Sequence, residues 1–174
     1  ADPGWQNLVI ARSQDLDLPA KTTQPFRLDV LSLEARKRPP GPRGECDYRI
    51  GPISQDGDLL KLFDAVDGLE TELARQVLQV DGTRVQHKPM SDELVILAAS
   101  SRYRRGEQGG YEARLAPEVV QVALWQVTDG LELEELADLV LEPDTPEGKA
   151  RLVRQVLAAN VLLEAAGLKS TVGV

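Results

Sequence analysis

The stretch VVQVALWQVTDG, from Val119 to Gly130, decides the fold expected for this chain. It is apolar on both sides of a glutamine, and it is preceded by Pro117 and Glu118, which suit the first turn and the positive end of a helix. The dipeptide Asp129-Gly130 ends the pattern. Because a helix that is apolar nearly all round lies at the centre of a bundle, the stretch predicts a central helix in a helical half of the chain.

Helical spacing of apolar side chains continues on both sides of this stretch. Before it, the spacing predicts segments over 59–66 and 69–80, as a hairpin or one kinked helix, and a helix that begins after Ser91 as N-cap. After it, LELEELADLVL predicts an amphipathic helix, and Thr145 caps a last helix that ends at Gly167. The second half is therefore expected to be a compact helical array.

Two stretches interrupt the helical spacing. RYRRGEQGGYEAR, residues 102–114, contains three glycines and is expected to form a mobile loop. TRVQHKPM, residues 83–90, carries the only histidine of the chain, His87, and is also expected to be a loop. Both stretches are therefore predicted to connect helices.

The first fifty residues have β character instead. Apolar residues alternate with polar ones around Leu16 and Leu18 and again from Phe26 to Leu33, and with residues 8–10 they predict three short antiparallel strands. Three such strands are too few to stand alone, so the sheet is expected either to pack on the helices or to be completed by chain upstream. A loop rich in proline and glycine, residues 36–57, joins the two parts.

These patterns predict an α+β fold in which a small antiparallel β element packs on a bundle of five or six helices. The β-rich segment with its connecting loop covers residues 1–50 and the helical segment covers residues 57–170. The two segments are expected to form one compact unit.

Composition excludes several classes of function. The chain has 174 residues, of which 42% are apolar and 28% charged, as in folded globular proteins. Its formal net charge of −8 is the wrong sign for binding phosphates, so no nucleic acid partner is expected. No apolar run approaches the ~18–20 residues that span a bilayer, so no membrane insertion is expected. The sequence leaves the oligomeric state open.

No motif of an enzyme or a metal protein is found in the sequence. A phosphate-binding glycine loop, a GxSxG elbow, an HExxH pair and a calcium loop are all missing. Cys46 is the single cysteine, which excludes an intramolecular disulfide and a zinc site of several thiolates. A cysteine mechanism would need Cys46 with His87, and neither has a motif around it. We therefore predict no catalytic residue, no metal and no cofactor.

The candidate site residues of the central helix are Gln121 and Trp125. They are spaced i and i+4, so they lie on one face of the helix. We expect Gln121 to be at least partly buried, and a buried amide needs a hydrogen-bond partner. Gln121 therefore either bonds a neighbouring segment or takes part in covalent chemistry.

The segment Q-V-A-L-W, residues 121–125, resembles the glutamine motif of the bacterial thioester domains, and QNLVI and LPAKTTQPFRLDVLSLEARKRPP resemble the part upstream of it. These domains are surface adhesin modules in which a cysteine and a glutamine side chain form an internal thioester. The resemblance places Ser32 where the family has its cysteine. It therefore implies a degenerate member, in which Gln121 forms a structural hydrogen bond to the Ser32 strand.

The resemblance implies a non-catalytic module of a secreted or cell-envelope protein, with a role in adhesion or assembly and a protein or glycan partner. Gln121, Trp125 and Ser32 are its candidate binding residues. One alternative is an intracellular helical domain for protein interaction or regulation. Another is a hydrolase or transferase that uses Cys46 or Ser32.

Overall fold

A computed structural model describes residues 7–10, 30–37, 56–106, 109–139 and 145–173 of the chain. The chain divides into two compact units, Ala1–Gly51 and Pro52–Val174. The described residues form five helices and three antiparallel sheets of two strands each. The chain therefore has the predicted α+β fold.

The first unit contains the strands β1 (Leu8–Ile10) and β2 (Val30–Ser32), which pair antiparallel. After β2, the Oε2 atom of Glu34 accepts hydrogen bonds from the main-chain N–H and the Nδ2 of Asn7, both at 2.9 Å. Hydrogen bonds from Lys37 and then from Asn7 lower the pKa of Glu34. The strand predicted around residues 16–18 lies outside the described residues.

The second unit begins with α1 (Gly57–Gln76), a single helix that covers both segments predicted before residue 76. Asp56 is its N-cap, and the carboxylate accepts the N–H groups of Asp58 and Leu59. The buried face repeats every three or four residues and consists of Leu59, Leu62, Val66, Glu70 and Leu73. One face of α1 therefore packs into the core.

The helix prediction up to residue 80 was wrong, because α1 ends at Gln76. A hairpin follows, in which β3 (Val77–Asp81) pairs antiparallel with β4 (Arg84–His87). The backbone of Gly82 has a φ of 57°, which glycine adopts without strain in a two-residue hairpin loop. His87 therefore lies in a strand and not in the predicted loop.

The predicted loop over residues 102–114 was also wrong. The helix α2 (Asp92–Ala99) begins after Ser91, as predicted, and the strands β5 (Ser101–Arg105) and β6 (Tyr111–Leu115) follow as a second hairpin. The exposed Arg102, Arg104 and Arg114 alternate with less exposed residues and share one face of this hairpin with Glu112, whereas Arg105 lies on the other face. The three glycines belong to its turn.

Three predicted helices complete the unit. These are α3 (Pro117–Asp129), α4 (Leu133–Leu139) and α5 (Pro146–Ala165). Gly130 ends α3 in the left-handed conformation, with a φ of 62°, and the Oγ1 of Thr145 caps α5 by accepting the N–H of Gly148 at 3.0 Å. The second unit is thus a helical array with two hairpins, and not helical throughout as predicted.

The core of the second unit lies where α3 packs along α5. Side chains with no exposed surface come from several helices and include Leu62, Leu73, Leu97, Leu124, Leu136, Val156, Leu162 and Leu163. None of the described helices has the length and apolar character needed to cross a bilayer.

Candidate binding groove and the predicted site residues

Two of the predicted site residues, Gln121 and Trp125, lie one turn apart on α3, and both are half-buried. The Nε1 atom of Trp125 is buried and finds no acceptor within the described part of the chain. A buried indole N–H without an acceptor destabilises the fold by about 1–3 kcal/mol. This face of α3 is therefore a partly covered surface with one unmet hydrogen bond.

The third predicted residue, Ser32, ends β2 and is buried. Its Oγ accepts the N–H of Glu34 at 3.3 Å and donates to the main-chain oxygen of Glu34 at 3.2 Å. The hydroxyl therefore stabilises a local turn. Ser32 belongs to the first unit and Gln121 to the second, so the hydrogen bond expected between Gln121 and the Ser32 strand stays a prediction.

The fully buried glutamine of α3 is Gln126, which the sequence analysis missed. It is 2% exposed, and its Oε1 accepts hydrogen bonds from the Oγ of Ser170 at 2.8 Å and the N–H of Thr171 at 3.0 Å. Its Nε2 donates to the Oδ1 of Asn160 in α5 at 3.4 Å. Gln126 therefore joins α3 to α5 and to the segment after it.

A buried carboxylate, Glu70, joins α1 to β6. Its side chain is 4% exposed, and its Oε1 accepts the main-chain N–H of Leu115 at 2.8 Å. Its Oε2 forms an ion pair with the guanidinium of Arg114 at 2.9 Å. A buried charge needs such partners, because losing water costs several kcal/mol. Glu70 was not among the site residues predicted from the sequence.

A groove lies beside this contact, between α1 and β6. Its volume is about 540 Å³, within the range of small-ligand sites. The helix contributes residues spaced three or four apart, and the strand contributes a continuous run. The lining residues are Asp67, Glu70, Thr71, Ala74 and Arg75 from α1, and Gly110, Tyr111, Glu112, Ala113 and Arg114 from the second hairpin.

The hydrogen bonds at the two ends of the hairpin show which main-chain groups face the groove. The N–H of Gly106 bonds the oxygen of Gly110 at 2.8 Å, and the N–H of Ala116 bonds the oxygen of Ser100 at 2.9 Å. Hydrogen-bonded pairs alternate with non-bonded pairs in an antiparallel ladder. The even-numbered residues between these ends therefore bond across the hairpin, and the odd-numbered ones direct their N–H and C=O groups outward.

The outward groups of β6 belong to Tyr111, Ala113 and Leu115. The hydrogen bond from the N–H of Leu115 to Glu70 agrees with this assignment. Among the described residues, no hydrogen bond is made by the outward N–H of Tyr111 or of Ala113. One wall of the groove is therefore a strand edge with open hydrogen-bonding groups.

The other strand of this hairpin, β5, contacts the first hairpin. The rings of His87 and Tyr103 meet edge to face, with their centroids 5.0 Å apart. The buried Nε2 of His87 and Oη of Tyr103 have no hydrogen-bond partner among the residues described. Burial lowers the pKa of His87 and raises the pKa of Tyr103, so both rings are neutral near pH 7.

The residues of the alternative enzymatic hypothesis are only partly described. Cys46 lies outside the described residues, and His87 faces Tyr103. In the described ranges, no group of three or more histidines, cysteines and acidic residues is arranged to hold a metal ion.

Comparison of the chain with known protein families, curated proteins and solved structures finds no match. The resemblance to bacterial thioester domains therefore stays a prediction that rests most specifically on residues 121–125.

Proposed function

We propose that this chain is a non-catalytic module of a secreted or cell-envelope protein that binds a protein partner in adhesion or assembly. The observation that carries the proposal is the groove between α1 and β6. Its strand wall offers main-chain N–H and C=O groups, which another protein chain complements. Because main-chain groups of this kind pair with another main chain, a protein is favoured over a glycan as the partner.

The polar groups of the groove support binding rather than chemistry. Glu70, which a catalytic role would need free, is held by Arg114 and by the N–H of Leu115. The hydroxyl of Thr71 donates to the main-chain oxygen of Asp67 at 2.8 Å, so it is engaged within its own helix. These groups hold the walls of the groove in place.

The resemblance to thioester domains supports the proposed location in a secreted or cell-envelope protein. It implies a surface adhesin whose reactive cysteine is replaced by Ser32, and the serine hydroxyl is engaged in a local turn with Glu34. A hydroxyl is also a weaker nucleophile than a thiolate near neutral pH. A module of this kind would keep a binding role without forming a covalent bond.

The binding role is tested by selecting peptides from a displayed library of random twelve-residue sequences. Thr71→Trp places a large ring in the groove, while Lys61→Trp places the same ring on an exposed part of α1 that does not line it. We expect selected peptides to bind wild type and Lys61→Trp equally and to lose about tenfold in affinity for Thr71→Trp. Equal binding to all three proteins, or no selected peptide, would contradict the proposal.

The absence of covalent chemistry is tested by measuring the intact mass before and after treatment with methylamine. We expect the calculated mass, one free thiol at Cys46 and no adduct. A mass lower by one ammonia, with a methylamine adduct and a released thiol after treatment, would show that Gln121 forms a thioester and would reject the non-catalytic assignment.

A further inference from the structure

The open edge of β6 determines how a partner would bind, if the groove is the binding site proposed above. Tyr111 and Ala113 together direct two N–H and two C=O groups outward, in the plane of the hairpin. Such a row of groups is a template for a further strand. The matching ligand is the main chain of an extended protein segment, which bonds all four groups at once.

The hydrogen bond to Glu70 shows that an outward N–H group of β6 can bind an acceptor from outside the hairpin. The Oε1 of Glu70 lies 2.8 Å from the N–H of Leu115, where a carbonyl oxygen of a third strand would otherwise lie. The carboxylate therefore occupies the last position of the edge. An added strand can pair with Tyr111 and Ala113 and must end before Leu115.

The lining between the two walls allows a close approach of a peptide main chain. Ala74 and Thr71 on α1 and Ala113 on β6 have small side chains. A segment of five residues is about 17 Å long when extended, which matches the run from Gly110 to Arg114 that lines the groove. The groove volume of about 540 Å³ lies in the range of small-ligand sites. A short extended segment therefore suits the groove better than a helix about 10 Å wide.

The charges of the groove select the ends of this segment. Asp67 and Arg75 are eight positions apart on α1, which places them about 12 Å apart along the helix axis. In the described part of the chain Asp67 has no ion pair, and Arg75, with 71% of its side chain exposed, has only a contact with Glu72 at 3.5 Å. Between them, Glu70 and Arg114 neutralise each other.

Residues i and i+4 of a strand lie on one face and are about 13 Å apart, close to the separation of these two charges. We propose that the partner is an extended protein segment that adds to β6 as a third strand, with a basic and an acidic residue four positions apart that pair with Asp67 and Arg75. Because Asp67 and Arg75 have fixed positions on α1, the order of the basic and acidic residues in the segment shows whether the added strand runs parallel or antiparallel to β6.

Synthetic peptides test the charge requirement. The probes are acetyl-KTVTE-amide and acetyl-ETVTK-amide, with the like-charged acetyl-KTVTK-amide and acetyl-ETVTE-amide as controls, titrated into ¹⁵N-labelled protein. We expect one of the opposite-charge peptides to bind about fivefold more tightly than either control, since each control keeps one ion pair and replaces the other by a like-charge contact. Equal affinity of all four peptides would overturn the charge assignment.

The main-chain requirement is tested with the tighter peptide. N-methylation of the amides that face β6 should abolish binding, while N-methylation of the amides that point away should not. The amide signals of Tyr111 and Ala113 should shift on binding of the unmethylated peptide. The exposed double variant Asp67→Lys, Arg75→Glu should reverse the preferred charge order of the peptides.

The outcomes separate this inference from the proposed function. If Thr71→Trp blocks binding but N-methylation of the peptide does not change it, the groove is a binding site and strand addition is overturned. Binding that shifts neither Tyr111 nor Ala113 would also overturn strand addition. If neither these peptides nor those of the displayed library bind, both proposals fall.

Discussion

The two hairpins of the second unit each pair two consecutive strands antiparallel, but they are held in place differently. In β3–β4 most side chains are exposed or half-exposed, and the tight turn at Gly82 sets the pairing locally. In β5–β6 the inner residues Ala113 and Leu115 are buried, and Glu70 bonds the strand from α1. The first hairpin therefore depends on its own backbone, whereas the second depends on a tertiary contact.

The largest effect should come from removing the anchor of the second hairpin. Glu70→Ala leaves the N–H of Leu115 without its acceptor and Arg114 without its partner. Because Arg114 is half-exposed and regains water, we expect a loss at the lower end of the range for buried pairs, about 3 kcal/mol in the free energy of unfolding. Urea denaturation measures it.

Glu70→Gln is the matched control for this prediction. The amide oxygen can still accept the N–H of Leu115, so the loss should be smaller, about 1 kcal/mol. Glu112→Gln weakens the exposed ion pair with Arg104 and should change stability by about 0.5 kcal/mol or less. If Glu70→Ala cost no more than Glu112→Gln, the second hairpin would not depend on this anchor.

A smaller effect is expected from the turn of the first hairpin. Gly82→Ala introduces a Cβ into a backbone with a φ of 57°, although nothing lies within 4 Å of that Cβ. The cost is then conformational strain alone, about 1 kcal/mol in thermal or urea unfolding. Gly68→Ala meets equally open space inside α1 and should instead stabilise by about 0.5–1 kcal/mol. A loss of stability in both variants would argue against a local cause at Gly82.

The contact between the hairpins should respond to pH. Burial lowers the pKa of His87 below its ordinary value of 6.5, so the unfolded chain binds a proton at a pH where the folded chain does not. The contribution of His87 to stability is therefore fully present above pH 6.5 and decreases as the pH falls below it. His87→Phe, which keeps a ring against Tyr103, should weaken this dependence in urea titrations at several pH values. An unchanged pH profile would exclude His87 as its source.

The helices could be predicted because their ends are encoded locally. Ser91, Thr145 and Gly130 specify caps through their own side chains or backbone, independent of distant residues. The hairpins were missed because Val77, Leu78 and Val80 fit the spacing of a helix as well as a strand. The glycines at 106, 109 and 110 indicated a loop, whereas they form a turn between two strands.

The important polar residues could be located only in part from the sequence. Gln126 shares a helical face with Val119 and Val122, so its burial follows from the spacing of α3. Glu70 likewise follows Val66 by one turn on the apolar face of α1. Their partners in β6, in α5 and in the segment after α5 are distant in the sequence, so no local pattern names them.

The carboxylate of Glu70 also has a consequence for solubility. An uncovered strand edge lets copies of a protein join edge to edge into insoluble sheets, and an inward-pointing charge at the edge is a common protection against this. Glu70 places such a charge at one end of β6. A long strand from another copy could pair along the whole edge only by displacing this buried carboxylate. Glu70 thus limits edge-to-edge aggregation, while the edge at Tyr111 and Ala113 stays open.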